Sequence, residues 1–326
     1  MKIFRKLNNL LGEIKNRSGK KKYFSYEIRV IYYANYRINL ARISIDNTKY
    51  LIKENMAIPI PANIINEGIV KNINDMAKII IDMSSALNIN RLPILIILPS
   101  SLFKLHSFDS SDIRIKSIKD PLIKSKSPFF ALDTTIQCHE VSNKYKSLLW
   151  VLYAQNELIN SWLNVLSIVN SDVVALTTTI PHILSTLIKK KSGSKIVLCD
   201  IENHHINIYF LNKEGDLRSH KIPYGISLYQ SSIKSDLSKE FFLRLEKSIL
   251  SLATLSGFNK PYSIYLTGNG LDSLVHSISQ IPEGFERIID LKIEDFTYSI
   301  TNTPEEHQVS PSILANMINI SLDSIK

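Results

Sequence analysis

The chain has 326 residues, 44% of them apolar, which is enough for two domains with cores of their own and excludes a disordered protein. Its formal charge of +9 sits mostly at one end: residues 1–25 carry Lys2, Arg5, Lys6, Lys15, Arg17, Lys20, Lys21 and Lys22 against Glu13 alone, so the rest is near neutral and a body-wide nucleic-acid face is excluded. The two cysteines, Cys138 and Cys199, have no ligand-like spacing, so neither a disulfide framework nor a zinc site is expected, and a reducing cytosol fits.

The first segment reads as a basic amphipathic arm. Ile3, Leu7, Leu10, Leu11 and Ile14 recur at i, i+4, i+7, i+8 and i+11, one apolar stripe on a helix with Lys/Arg opposite. Residues 16–22 then form a basic linker. Such an arm lies on an anionic membrane surface or docks on a partner; packing on its own domain, or fraying, is the alternative reading. No apolar run is long enough to span a bilayer, and a signal peptide is not expected because a continuous apolar segment is missing at the start.

Residues 26–33, 37–45 and 50–58 are rich in Ile, Tyr and Val and read as three strands, with a turn at Asp46 and Asn47. Residues 58–70 read as an extended connector punctuated by Pro59, Pro61 and Gly68. Asn72 or Asn74 is a cap for a helix over 75–87, whose Met76, Ile79, Ile80, Met83 and Leu87 keep helical spacing. Further strands are expected at 92–98, 103–114 and 146–153, a loop at 120–132, a helix at 155–167, a brief strand at 173–175 and a helix at 181–189. The charged, flexible run 189–194 marks a domain boundary. After it the grammar restarts: strands at 195–201, 206–211 and 217–222, a helical region over 229–256, and a strand at 263–266 that ends in a glycine turn. Two βββα blocks imply an α/β protein with mixed sheets.

Chemistry concentrates at two strand ends. Asp200 closes one apolar strand and stands before Asn203; Gly268, Asn269 and Gly270 follow another. Backbone amides at such ends meet phosphate or ribose. Structural readings stand beside these: Asp200 in an Asx-type turn with Asn203, and the glycines in a turn needing positive φ. His204 and His205 are adjacent, so in a strand they point to opposite faces and do not share a metal. No HExxH, GxSxG or nearby Ser/His/Asp order is present. Trp150 and Trp162 read as core or interface residues.

Five blocks then carry a resemblance. YRINLAR at 36–42 resembles the "ERINIAQ" block of cyanobacterial PilM-like proteins, and IPIPANIINEGIVKNIN resembles that family's proline–glycine segment through Pro61, Glu67, Gly68, Ile69 and Asn72. Asp200–Ile201 with the strand 206–210 resembles the second phosphate motif, KIPYG at 221–225 the end of the following hairpin, and IYLTGNG at 264–270 the adenosine motif. The sequence thus resembles PilM, the actin-like component of type IV pilus assembly, a family related to FtsA, over about residues 30–322.

The resemblance implies a duplicated actin-like (ribonuclease-H-like) two-domain fold. The arm and linker would occupy 1–25, a first domain 26–191 with a small inserted subdomain at 91–166, and a second domain 192–326. It implies ATP with Mg as the cofactor, with Asp200 and Asn203 on the phosphates, Asp200 holding the metal indirectly, and Gly268, Asn269 and Gly270 on the adenosine. It also implies a cytoplasmic scaffold at the inner face of the inner membrane. Its partners would be the N-terminal cytoplasmic peptide of a PilN-like bitopic protein, held between two subdomains of the first half, and the pilus motor and platform proteins.

The sequence departs from the family at the cleft. Tyr32 and Tyr33 stand where the first phosphate motif has an acidic residue and a Gly/Ser turn, Glu202 stands for the glycine of the second, and Asn269 for the middle glycine of the third. Tyrosines do not hold hydrated magnesium, and a carboxylate repels phosphate. A degenerate cleft without hydrolysis is expected, holding either ATP with Mg or no cofactor; an active Mg-ATP-dependent ATPase and an FtsA-like division protein remain the alternatives.

Overall fold

Alternating β-branched and aromatic residues start the fold as a meander. In the computed structural model, which describes residues 25–34, 36–46, 49–109, 134–142, 147–190, 193–230, 235–268, 284–287 and 296–298, β1 (Ser25–Ala34), β2 (Arg37–Asp46) and β3 (Lys49–Pro59) pair antiparallel in sequence order. The arm residues Ile3, Leu7, Leu10, Leu11 and Ile14, and Asn269 and Gly270, lie outside the described residues. The pairing of β1 with β2 runs out to Ala34 opposite Arg37, and Tyr36 just before β2 has φ 56.

The stretch read as an extended connector contains a small hairpin, β4 (Ile65–Asn66) with β5 (Ile69–Val70). Glu67 and Gly68 both take positive φ at its tip, the two-residue turn whose twist suits a hairpin. Asn72 caps α1 (Ile73–Ala86), its side chain accepting from the Asp75 amide, and the helix buries Met76, Ala77, Ile80 and Met83. Next come β6 (Ile94–Ile97), a 3-10 turn at Ser100–Leu102, and β7 (Lys104–Asp109). A strand not expected from the sequence follows, β8 (Thr134–Ser142), then β9 (Ser147–Gln155), α2 (Asn156–Val169), β10 (Val173–Thr177) and α3 (Ile180–Lys190). Strands β7, β9 and β8 form a small separate sheet in the order β7-β9-β8.

In the second half the elements are β11 (Ile196–Ile201), β12 (Ile206–Leu211), β13 (Leu217–Ile222), α4 (Ser227–Gln230), α5 (Ser235–Leu255), β14 (Ser263–Thr267), β15 (Phe285–Arg287) and β16 (Phe296–Tyr298). The helical region expected over 229–256 is covered by α4 and α5, with residues 231–234 outside the described residues. The second sheet is ordered β13-β12-β11-β14-β15, and the first repeats that plan as β3-β2-β1-β6-β10, with β16 added at its β3 edge. In each half a three-strand antiparallel meander is extended by two parallel strands from its first member. This is the duplication anticipated from the two βββα blocks.

Strand alternation decides how the halves meet. On one face of the second sheet Val197, Cys199, Ile201, Ile208 and Phe210 pack with Phe241, Phe242, Leu245 and Ile249 of α5. On the other, Ile196, Leu198, Tyr209, Leu211 and Tyr265 join the core of the first half. The lobes therefore share one apolar interior. Trp150 and Trp162 are both fully buried in it. Among the described residues no helix is long and apolar enough to cross a membrane.

One buried cation ties the first lobe together. Arg29 of β1 donates to Leu92 O at 2.8 Å, to Ser84 Oγ at 2.9 Å and to Ser171 Oγ, joining the end of α1 to the approaches of β6 and β10. Burial lowers its pKa to about 10, so it stays charged at neutral pH. Arg29→Met keeps most of the apolar stem but leaves three acceptors without their donor. A loss of about 2–3 kcal/mol is expected in urea unfolding; a loss below ~0.5 kcal/mol would contradict this role.

Candidate functional site

In α/β sheets, ligands bind beyond the carboxyl ends of parallel strands. Here buried polar side chains collect there: Ser100 after β6, Thr177 at the end of β10 and Thr179 after it, Asp200 and Asn207 on β11 and β12, and Thr267 at the end of β14. The ends of β6 and β11 touch directly. Ser100 Oγ donates to Asp200 Oδ2, and Asn207 Nδ2 donates to Ser100 Oγ at 3.1 Å. Asp200 and Asn207 are register partners across β11 and β12, so one hydroxyl from the first lobe bridges a facing pair in the second.

The carboxylate of Asp200 is therefore held by Ser100, not by the Asx-type turn with Asn203 that the sequence offered. Burial pushes its pKa up to about 6, against the opposing pull of the Ser100 and Asn207 hydrogen bonds. Tyr209, on the same face, is raised well above the usual phenol value by burial and then by the Asp200 charge.

The loop after β11 is closed upon itself and its neighbours. Glu202 N donates to His205 O at 3.0 Å, Ile226 N to Glu202 O at 3.2 Å, and Ser227 N to Asn203 O at 2.8 Å. A Cβ on Gly225 would come within 2.3 Å of Glu202 O and 2.5 Å of Asn203 O. Gly268, at φ +106, presses on the same strand end: a Cβ there would lie 2.3 Å from Ile201 O and 2.8 Å from Asp200 Oδ1. The structure thus brings Asp200 and Gly268 together, with Asn203 held nearby by Ser227.

His204 and His205 lie in the turn before β12 and not in a strand, which corrects the opposite-face expectation. His204 Nδ1 meets Ser227 Oγ at 3.1 Å. His205 Nε2 is buried with no hydrogen-bond partner. Burial lowers its pKa to about 4, with Lys221 and His204 adding to the shift. Among the described residues no group of three His, Cys, Asp or Glu is placed to hold a metal.

Among the described residues the junction does not fit a magnesium triphosphate in this conformation. Tyr32 and Tyr33, near the β1 end where the first phosphate motif would lie, are buried. Asp200 is engaged by Ser100, Glu202 adds a second buried carboxylate at the same strand end, and the Gly268 turn is packed on protein.

A second contact joins the lobes through the small sheet. Leu217 N of β13 donates to Ser107 Oγ of β7 at 2.9 Å, and Trp150 Nε1 of β9 donates to Gly215 O at 3.4 Å. Ser100, Ser107 and Asn207 were not singled out in the sequence. Only Asn207 leaves a trace there, as a polar residue inside the apolar strand INIYFL.

Two lobes of the same strand order facing one another across these strand ends define an actin-like fold. Among solved structures, the chain is similar to a PilM–PilN type IV pilus biogenesis complex, at 13% identity and a TM-score of 0.65 over 92% of this chain and 99% of that one. Weaker likenesses are a Bacteroides thetaiotaomicron protein with an actin-like ATPase fold and unknown function (10% identity, TM-score 0.47, 80% and 90% of the two chains) and the cytoplasmic domain of EpsL, an inner-membrane component of the Vibrio cholerae type II secretion system (7% identity, TM-score 0.43, 91% and 95%). No protein-family model matches the chain, and no curated protein matches it.

Proposed function

We propose that this chain is an actin-like scaffold of a type IV pilus-like machine, working in the cytoplasm at the inner face of the inner membrane. It binds the cytoplasmic N-terminal peptide of a PilN-like inner-membrane protein and links it to motor and platform proteins. The observation that carries this reading is the likeness to the PilM–PilN complex over nearly the whole of both chains. Among the described residues, the engagement of Asp200 by Ser100 and the buried Glu202 beside it support a binding role over an ATPase one.

The peptide would lie in a groove between the first lobe and the small sheet. Capture in a groove works best when the walls are preformed, and the base of this region is firmly built. Trp162 Nε1 of α2 donates to Gly68 O at 2.9 Å, Val70 N donates to Ser161 Oγ at 3.1 Å, and the Leu102 side chain fills the space beside Gly68.

Calorimetric titration of the folded chain with a synthetic PilN-like tail peptide is expected to show saturable binding, and a scrambled peptide none. Absence of binding by a chain with a cooperative unfolding transition would remove this reading. Mg-ATP is expected to leave the unfolding midpoint unchanged, because only ligands that bind the native state raise it. A concentration-dependent rise that needs magnesium would favour the ATPase alternative.

A further inference from the structure

We propose that Ser100 is an internal ligand that latches the two lobes closed. The latch has four buried members. Ser100 sits on the 3-10 turn after β6, Asp200 and Asn207 face one another on β11 and β12, and Tyr209 lies two residues on from Asn207 along the same face. The hydroxyl donates to Asp200, accepts from Asn207, and is also hydrogen-bonded to the Tyr209 phenol. A hydroxyl that satisfies both an acceptor and a donor on the opposite lobe does what a bound ligand does between two lobes: it is bonded only while they are together.

The bridged residues are 100 and 107 positions apart in the chain, so the contact exists only while the lobes are together, and it sits at the edge of the apolar interior they share at Leu198, Tyr209 and Tyr265. The Ser107–Leu217 and Trp150–Gly215 bonds form a second clasp, so the small sheet is held to the second lobe while the latch is shut. The latch rests on these contacts and does not depend on the peptide reading.

The test uses the full chain with Cys138→Ser, leaving the buried Cys199 in place. Spin labels go on cysteines replacing Leu163 of α2 and Leu243 of α5, both exposed and on different lobes. Pulsed electron resonance is expected to give one narrow distance population for this parent. Ser100→Ala is expected to add a longer-distance population at least tenfold above the parent's, while Asp200→Asn, which keeps an acceptor for the hydroxyl, stays closed. Amide exchange supplies a second readout, rising about tenfold in 94–100 and 196–211 of Ser100→Ala with 37–46 unchanged. A broad parent distribution, a Ser100→Ala distribution identical to the parent, or a uniform rise in exchange across the chain would each overturn the latch.

Discussion

Gly268→Ala is expected to lower the stability of the chain by about 2–5 kcal/mol in urea unfolding, the sum of backbone strain and overpacking. The glycine sits at φ +106, outside the range an alanine adopts without cost. Its added Cβ would meet Ile201 O at 2.3 Å and Ile201 N at 2.5 Å. Those are backbone atoms of β11, held between β12 and β14, so they have little freedom to retreat. Gly257→Ala is the control. That glycine also has a positive φ, +64, but nothing lies within 4 Å of the added Cβ, so only the strain of about 1–2 kcal/mol applies. Equal losses in the two variants would show that crowding against β11 is not what the Gly268 site requires. The outcome also bears on function. A glycine in a motif like the adenosine motif is explained here by strand packing alone, so its presence is no argument for a nucleotide.

The same tension between local motif and distant partner runs through the chain. The β1–β3 meander was legible because its alternation is local and strong, and so was α1, whose apolar spacing and Asn72 cap lie within one short window. The duplicated plan was legible because each block repeats the order of element types. The β4–β5 hairpin was hidden because its strands are two residues each, and Pro59 and Pro61 before it, with Gly68, read as a connector. Strand β8 was hidden by its largely polar sequence, TTIQCHEVS, from which Ile136 and Cys138 pack against the small sheet's apolar face. Asp200 stood out as an acid ending an apolar strand, but its partner did not. No local pattern reports that Ser100 meets it, since the contact exists only after two separately folded sheets have docked.

The energetic character of that contact predicts how stability responds to pH. Asp200 has its pKa raised from 3.8 to about 6, because a carboxylate buried beside a hydroxyl and an amide lacks a compensating cation. An acid with a raised native pKa gives its full contribution below the unfolded value, and loses it as pH rises through the native value. Between about pH 4 and pH 6 the site therefore gives up about 3 kcal/mol, and above that its contribution is flat. His205 works the other way in an overlapping window. Its pKa is lowered to about 4, so its contribution grows with pH up to its unfolded value. The net curve mixes the two, with the buried Glu202 and Tyr209 facing the same region, and the informative quantity is the difference between parent and Asp200→Asn. An amide keeps the acceptor for Ser100 and never ionises. Asp200→Asn is expected to match the parent near pH 4 and to exceed it by about 3 kcal/mol at pH 8, read from urea midpoints at each pH. Electrostatically, Asp200 would then be a liability that the fold carries in order to close on Ser100, since a neutral side chain of the same shape would hold the lobes together more tightly. A parent that is the more stable of the two at pH 8 would mean that the ionised carboxylate finds a donor set strong enough to favour it, and the junction would then have to be read as built for charge.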